Sequence, residues 1–160
     1  MRRRWCGAPP ARPDYQRHHL IPLTLARRPQ MQPMFHALEV EGFNLHIFAQ
    51  NGQLLPASEA GAMRTGHALH RGPHQGYSDV VTARVESIRR HFATEAMRDI
   101  GAARRTAKMR LTLLQQATRR ALTDRHRGVL RLNKRDPMRI FVDRPYLDRA
   151  IDMMFANFDG

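Results

Sequence analysis

Four of the nine histidines in the chain form two pairs whose spacing could support metal binding and acid–base chemistry. His18 and His19 are adjacent, so in a β-strand their side chains would point to opposite faces. His70 and His74 are four residues apart, which puts both imidazoles on one face if a helix begins there. Three neutral imidazoles suit a transition metal such as Zn²⁺, Ni²⁺ or Mn²⁺ better than Ca²⁺. A fourth imidazole that binds no metal can act as a general base near neutral pH.

Each of these spacings also has an ordinary explanation. An adjacent histidine pair usually lies on the surface without a function, and most pairs four residues apart bind no metal. Gly72 and Pro73 argue against a regular helix between His70 and His74. His67 is a rival ligand, because it lies three residues before His70. The remaining histidines have no partner at a ligand spacing and are interpreted as structural or surface residues: His36, His46, His91 and His126.

The composition is that of a globular domain with a strong positive charge. The chain has 160 residues, 42% hydrophobic and 26% charged, which is enough for one domain with a core of moderate size. Lys and Arg number 27 against 14 Asp and Glu, giving a formal net charge of +13. This charge disfavours a simple acidic or neutral metabolic enzyme and indicates a polyanionic partner. The single cysteine, Cys6, excludes a disulfide scaffold and a four-cysteine zinc site.

The basic residues lie in two segments that flank a neutral to acidic one. Residues 1–28 contain seven arginines and one aspartate, residues 29–63 contain no lysine or arginine, and the chain from Arg64 on contains 20 basic and 10 acidic residues. Such a pattern is typical of solvated faces. It also fits a protein whose two flanks grip a polyanion while chemistry takes place between them.

Proline and glycine divide the first part of the chain into short elements around the first histidine pair. Residues 1–13 combine arginines with glycine and prolines and are predicted to form a mostly disordered basic arm. The apolar run at residues 20–23 predicts a short strand or extended segment, and residues 33–40 predict a helix. Alternation over residues 43–48 favours a strand, although a helical turn stays open. Residues 57–66 are small and polar, which predicts a loop.

The rest of the chain is predicted to be mainly helical. From Tyr77 to Phe92 apolar residues recur at steps of three and four, which predicts a long helix. A second helix is predicted over residues 102–122, and its apolar stripe is expected to contain Met109, Leu113, Ala117 and Ala121. Residues 129–142 predict a loop with room for a short strand, and Pro145 predicts the start of a last helix. The expected fold class is therefore α+β and predominantly helical.

Three motifs occur in a specific order along the first half of the chain. Residues 17–22 read RHHLIP, residues 51–56 read NGQLLP and residues 70–77 read HRGPHQGY. Together they resemble the AHH family of the HNH/endonuclease VII superfamily, which has a His pair before an apolar residue and proline, an Asn-Gly…Leu-Pro segment and a His-x-Gly-x-His-x-x-Tyr segment. The resemblance covers roughly residues 15–92. Arg17 stands where the family has a small residue, at a position that carries no chemistry in the family, and here it would add a phosphate contact.

The resemblance implies a domain organisation. We expect a ββα-metal nuclease core in the first ~95 residues, built from two short strands, a connecting loop and a helix, with a C-terminal helical extension. The expected boundaries are a basic arm over residues 1–13, the nuclease core over residues 14–96, and an extension of unknown role over residues 97–160.

The resemblance also implies roles for individual residues. His18, His70 and His74 would be the ligands of one divalent metal ion, with Zn²⁺, Ni²⁺, Mn²⁺ and Mg²⁺ as candidates. His19 would be the general base. Asn51 would either brace the loop and orient the site or lend a ligand oxygen.

These expectations together predict a metal-dependent endonuclease that hydrolyses phosphodiester bonds, with DNA as the favoured substrate. Such hydrolysis needs a base to activate water and a cation to stabilise the charge that develops on the phosphate. Arg17 and Arg71 are the candidates for clamping the scissile phosphate. Two alternatives stay open, a non-catalytic nucleic-acid-binding protein whose histidines hold a structural metal and an RNase of the same superfamily.

The AHH family often forms the toxic tip of larger bacterial polymorphic toxins. The resemblance therefore implies a processed tip, a free-standing effector or a phage-related enzyme, and for a toxin it implies a neutralising immunity protein. No apolar run approaches the ~18 residues of a membrane span, and the basic start has no apolar segment of a secretory signal behind it. We expect a cytoplasmic protein or, for a toxin, one that reaches its target cell by a non-classical route.

Overall fold

A computed structural model of the protein describes residues 7–72, 74–124, 131–133 and 140–157, with the backbone alone for residues 131–133 and 140–144. The described elements in chain order are β1 (Tyr15–His19), a 3₁₀ helix (Leu23–Arg27), α1 (Gln32–Glu39), α2 (Phe48–Asn51), β2 (Gly52–Pro56), α3 (Glu59–Thr65), β3 (Leu69–Arg71), α4 (Gln75–Ala96), α5 (Ile100–Thr123), β4 (Arg131–Asn133) and α6 (Ile140–Ala156). The protein is α+β and predominantly helical, which confirms the predicted fold class.

Two small sheets lie next to the first turn of α4. β1 pairs antiparallel with β2, so that His19 lies opposite Gly52 and His18 lies opposite Gln53. β3 pairs with β4 in parallel, and β4 confirms the short strand for which residues 129–142 left room. The order of two antiparallel strands followed by a long helix is that of the predicted ββα core.

The long helices α4, α5 and α6 enclose most of the apolar core. α4 buries the periodic face that its sequence predicts, namely Tyr77, Val80, Val81, Val85, Ile88 and Phe92. α5 covers this face, and α6 packs against both helices through Leu147 and Ile151. The Arg84 guanidinium joins α4 to α6, because it contacts the carboxylates of Asp148 at 2.9 Å and Asp152 at 2.6 Å.

Helix α5 packs in the same core as the elements that carry the histidines. One apolar cluster extends from Leu20 to Ile151 and includes residues from α1, α4, α5 and α6. Two hydrogen bonds also tie α5 to the first half of the chain, from Ala68 N to Leu122 O at 2.8 Å and from Lys108 Nζ to Glu41 O at 2.6 Å. α5 is therefore continuous with the nuclease-like part in its packing, which its sequence alone did not indicate.

The strand favoured over residues 43–48 was wrong. Asn44 Oδ1 accepts a hydrogen bond from His46 N at 2.8 Å, which forms a side-chain-stabilised turn in place of a strand. Phe48 then begins α2, so the alternative of a helical turn was correct at the end of the segment.

The loop predicted over residues 57–66 was also wrong, because residues 59–65 form α3. Ser58 Oγ accepts a hydrogen bond from Gly61 N at 3.1 Å and caps the helix N-terminus. Gly66 ends the helix in a left-handed conformation with φ of 70°. A capping serine and a terminal glycine are start and stop signals that the composition of a polar segment hides.

Two details of the later helices also differ from the predictions. Leu113, Ala117 and Ala121 of α5 are buried as predicted, but Met109 is 37% exposed. α6 begins at Ile140, so Pro145 lies inside this helix and does not start it.

The predicted basic arm lies partly outside the described residues, which begin at Gly7. Residues 7–13 form no helix or strand, and Pro9 O accepts a hydrogen bond from Arg17 Nη2 at 2.7 Å. No helix among the described residues has the length and apolar character needed to cross a membrane.

Truncating one buried side chain of α5 should destabilise the whole domain. Leu111→Ala should lower the free energy of unfolding by about 2–5 kcal/mol, because it leaves a cavity between α5 and its neighbours. The matched change Met109→Ala, two residues earlier on an exposed position, should cost less than about 1 kcal/mol. Urea denaturation monitored by circular dichroism measures both, and equal effects would contradict the described packing of α5.

Candidate active site

Three imidazoles converge where β1, β3 and the start of α4 meet. They belong to His18 near the end of β1, His70 in β3 and His74 at the N-cap of α4. Each offers a ring nitrogen, and these nitrogens all lie within 4.8 Å of one another. The ring centroid of His18 lies 5.1 Å from that of His70 and 4.8 Å from that of His74.

The structure brings His70 and His74 together without a shared helix. A shared helical face required a helix to begin at these residues, but α4 begins only at Gln75, and His70 lies in a strand, in keeping with the argument from Gly72 and Pro73 against a regular helix. Gly72 lies between the two histidines, and its φ of 74° is in the left-handed region that favours glycine. The two Nε2 atoms end 3.1 Å apart.

Hydrogen bonding orients the ring nitrogens of this cluster. His70 Nδ1 lies 2.7 Å from Gln16 Oε1, and because an amide oxygen only accepts, this contact favours the tautomer with the proton on Nδ1. In that tautomer the lone pair of His70 is on Nε2, which lies 3.1 Å from His74 Nε2. Among the described residues, the buried atoms His18 Nε2 and His74 Nδ1 have no hydrogen-bond partner.

Burial keeps the three imidazoles neutral. Desolvation, followed by the proximity of His74 and His70, lowers the pKa of His18 well below its usual value. Desolvation and the neighbouring His74 lower the pKa of His70 to about 4. The pKa of His74 is also lowered, again mainly by desolvation. At neutral pH all three rings can thus donate a lone pair without first losing a proton.

The donor set fits a divalent transition metal. Zn²⁺ bound tetrahedrally at Zn–N distances of about 2.0–2.1 Å separates two ligand nitrogens by roughly 3.3 Å, close to the 3.1 Å between His70 and His74. A buried ring nitrogen without a partner, such as His18 Nε2, is costly unless something binds it. The contact between Gln16 and His70 is also the outer hydrogen bond that metal-binding histidines usually make.

Tyr77 of α4 packs against the imidazole cluster. Its ring packs edge-on against His18 at 4.9 Å and His74 at 5.4 Å between centroids. Its hydroxyl donates to Leu20 O at 2.7 Å, and burial raises its pKa above the usual value. Tyr77 therefore fixes both histidine rings and the backbone that follows the histidine pair.

Asn51 lies fully buried at the junction of α2 and β2. Its Oδ1 accepts from Ile21 N at 2.8 Å and from Gln115 Nε2 at 3.2 Å, and its Nδ2 donates to Ile21 O at 2.9 Å and Leu45 O at 3.0 Å. Its backbone carbonyl also accepts from Leu20 N at 2.9 Å. Every polar atom of this side chain is used to hold the segment that follows the histidine pair.

His19 lies on the other face of β1 from the imidazole cluster, as strand alternation predicts. It is half-buried, and its ring packs edge-on against Phe48 with centroids 5.6 Å apart. Phe48 in turn lies over Gly52, where a Cβ atom would overlap its ring. Glycine at position 52 thus allows Phe48, and with it His19, to take this position.

The two candidate phosphate-binding arginines lie in different surroundings. Arg17 precedes His19 by two residues on β1, which places both on one strand face, and its guanidinium bonds to Pro9 O. Arg71 at the end of β3 donates to Ala57 O at 3.0 Å, and it lies 3.8 Å from the carboxylate of Glu59.

Sequence reasoning missed three residues that contact this site. Gln16 precedes His18 by two residues, so strand alternation could have placed it beside the cluster. Tyr77 was recognised as the last residue of the third motif and as part of the buried face of α4, but its contact with the histidine rings was not predicted. Gln115 occupies a buried position of α5, and an uncharged polar residue in an apolar stripe usually has a specific partner.

Two antiparallel strands and a helix that enclose a cluster of histidines define the class of ββα nucleases. A model of the AHH family, described as a nuclease family of the HNH/ENDO VII superfamily with conserved AHH, matches residues 1–121. The chain therefore belongs to the AHH nuclease family. The match extends beyond the motifs through most of α5. Comparisons with curated proteins and with solved structures gave no match.

Removing the imidazoles of the cluster should remove a bound metal ion. The wild-type protein should hold one divalent ion per chain after dialysis, measured by elemental analysis with Zn²⁺, Ni²⁺ and Mn²⁺ in turn. The triple variant His18→Ala, His70→Ala, His74→Ala should hold none, because its ligand atoms are gone. The exposed His91 provides the matched control, and His91→Ala should bind as the wild type does.

Gln16, which contacts His70, should tune the affinity of the site for the metal ion. Gln16→Met should weaken metal binding about 10- to 100-fold, since it removes the acceptor that fixes the His70 tautomer. Stoichiometric metal in the triple alanine variant would contradict the assignment of the site.

Proposed function

We propose that this nuclease is a metal-dependent endonuclease that hydrolyses phosphodiester bonds in DNA. The observation that carries the proposal is the convergence of the neutral imidazoles of His18, His70 and His74. A fourth histidine, His19, follows His18 on β1. Family membership supports the hydrolysis of phosphodiester bonds. The net charge of +13 supports a polyanionic substrate.

His18, His70 and His74 are the proposed metal ligands, in keeping with the closeness of their ring nitrogens and their lowered pKa values. When bound, a divalent ion stabilises the negative charge that develops on the phosphate and on the leaving oxygen. Gln16 and Tyr77 hold the ligand rings, because they contact His70 and His18 directly.

His19 is the proposed general base. It follows a proposed ligand directly, yet strand alternation places its ring on the face of β1 opposite the ligand cluster, which keeps it out of the proposed ligand set. Its contact with Phe48 limits the positions that the ring can take. A fixed imidazole can accept a proton from the attacking water while phosphate is bound.

Asn51 is proposed as a positioning residue, the first of the two roles that the resemblance left open. Its Oδ1 already accepts two hydrogen bonds in the core, which favours bracing over ligation. Arg17 is the better candidate for the phosphate clamp, because it shares a strand face with His19, and its bond to Pro9 O would have to exchange for phosphate. Arg71 bonds to Ala57 and Glu59, so a role for it requires that these contacts exchange for phosphate.

A toxin role, a neutralising immunity protein and delivery into a target cell rest on the family resemblance alone. They are proposed as the biological setting of this activity. The choice of DNA over RNA rests on the same resemblance, and parallel assays on both polymers test it.

Replacing the proposed base should separate catalysis from metal binding. His19→Ala should keep the metal and the fold but lower the rate of plasmid nicking about 10²- to 10⁴-fold, because proton transfer from water loses its acceptor. Supercoiled plasmid, metal-stripped protein and added divalent ions make up the assay, while elemental analysis and thermal melting verify the variant. The surface change His91→Ala serves as control.

Each other result for His19→Ala has a defined meaning. Nicking at the wild-type rate would show that His19 is not the base. Loss of the metal would mean that the roles of the two adjacent histidines are reversed. A wild-type protein that binds DNA and metal but never cleaves DNA or RNA would favour the structural-metal alternative.

Affinity for duplex DNA should fall steeply with salt, because phosphate contacts release counterions. Removing residues 1–6, which include Arg2, Arg3 and Arg4, should reduce the slope of log K against log salt by up to about 3. Arg89→Ala should leave the slope unchanged, since Glu86 already pairs with Arg89 at 2.6 Å. Fluorescence anisotropy in the His19→Ala background measures the slopes, and a salt-independent affinity would exclude phosphate contacts by the arginines.

A further inference from the structure

We propose that Gln115 and Arg119 of α5 are positioning residues of the nuclease site, acting through residues 49–52 at the junction of α2 and β2. This inference rests on the proposed function and deepens it. It gives a role to a helix that lies outside the motifs by which the family was recognised in the sequence. Neither residue lies among the proposed ligands, base or phosphate contacts.

Gln115 reaches the junction through the side chain of Asn51. It is only 4% exposed, and its Nε2 donates to Asn51 Oδ1 at 3.2 Å. The same oxygen accepts from Ile21 N at 2.8 Å, two residues after His19. Asn51 Oδ1 therefore links α5 to the backbone segment that follows the histidine pair.

Arg119 reaches the same junction one helical turn later. Its Nη2 faces three backbone carbonyls, those of Gln50 at 2.9 Å, Gly52 at 3.3 Å and Ala49 at 3.5 Å. Carbonyls at the end of a helix lack partners within the helix, and a cation is favourable there. Residues four apart share a helix face, so Gln115 and Arg119 bind the junction side by side.

The junction in turn sets the position of His19. Gly52 lies directly opposite His19 in the β1–β2 pair, and Phe48 packs between Gly52 and the His19 ring. Asn51 O also accepts from Leu20 N at 2.9 Å. A shift of the junction would therefore move the proposed base, and a misplacement of about 1 Å can cost up to about 10²-fold in rate.

The test compares isosteric variants with neighbours that point outwards. Gln115→Met and Arg119→Met keep the length of each side chain and remove its hydrogen bonds. Gln116→Met and Arg120→Met are the matched controls, because both residues are exposed on α5. The measurements are amide hydrogen exchange at Leu20 and Ile21, metal content, and kcat and KM on a duplex oligonucleotide. All are made well below the Tm of each protein variant.

The two junction variants should exchange the Leu20 and Ile21 amides up to about tenfold faster, as expected when one hydrogen bond is lost. Their kcat should fall about 10- to 100-fold, with KM within about twofold and metal content unchanged. Arg119→Lys should restore most of the amide protection and most of the kcat that Arg119→Met loses, since an ammonium group can still donate to these carbonyls. The controls should match the wild type in exchange and in kcat.

Unchanged exchange at Leu20 and Ile21 in both junction variants would overturn the inference, as would a kcat equal to that of the controls. An even rise in exchange across all helices would indicate a general loss of stability and would also overturn it. Arg119 is partly exposed, so its variants test the inference even if Gln115→Met fails to fold. Failure of the wild type to cleave any nucleic acid would overturn the proposed function, while the exchange data still report whether α5 holds the junction.

Discussion

The buried amide of Asn51 is the interaction on which the rest of the site depends. A primary amide offers two donors and two acceptor positions, and in the core each must be matched, because an unsatisfied buried polar group costs about 1–3 kcal/mol. Asn51 matches them with Ile21, Leu45 and Gln115. These partners come from the segment after the histidine pair, the loop before α2 and helix α5. One side chain thus sets the relative positions of three parts of the chain.

The imidazole cluster presents the opposite situation, polar atoms that the folded protein leaves unmatched. His18 and His74 each have a buried ring nitrogen without a partner among the described residues. Burial keeps the rings neutral, and this loss of solvation is unfavourable for the protein alone. Such an arrangement is stable only where the surrounding core enforces it, as Tyr77 and Gln16 do here. Ring nitrogens without protein partners, held in a rigid frame, fit the proposed metal site.

Helix α5 shows why motifs and packing units need not coincide. The three motifs end before α5 begins, yet α5 covers α4, bonds to Glu41 and Ala68, and contacts Asn51. Two short strands and one helix bury too little apolar surface to be stable by themselves. A second long helix supplies that surface, and the family match through residue 121 includes most of it.

The sequence by itself determined the residue types of the site, their order along the chain, and the helices with strong local periodicity, α4 and α5. It also predicted the opposite faces of His18 and His19, because strand alternation is a local property. It did not predict how His70 meets His74, since that depends on the left-handed conformation of Gly72 and on β3 lying beside β2. Nor did it assign Gln115 to Asn51, 64 residues away. Periodicity encodes which face of an element is buried, whereas only tertiary packing decides what that face contacts.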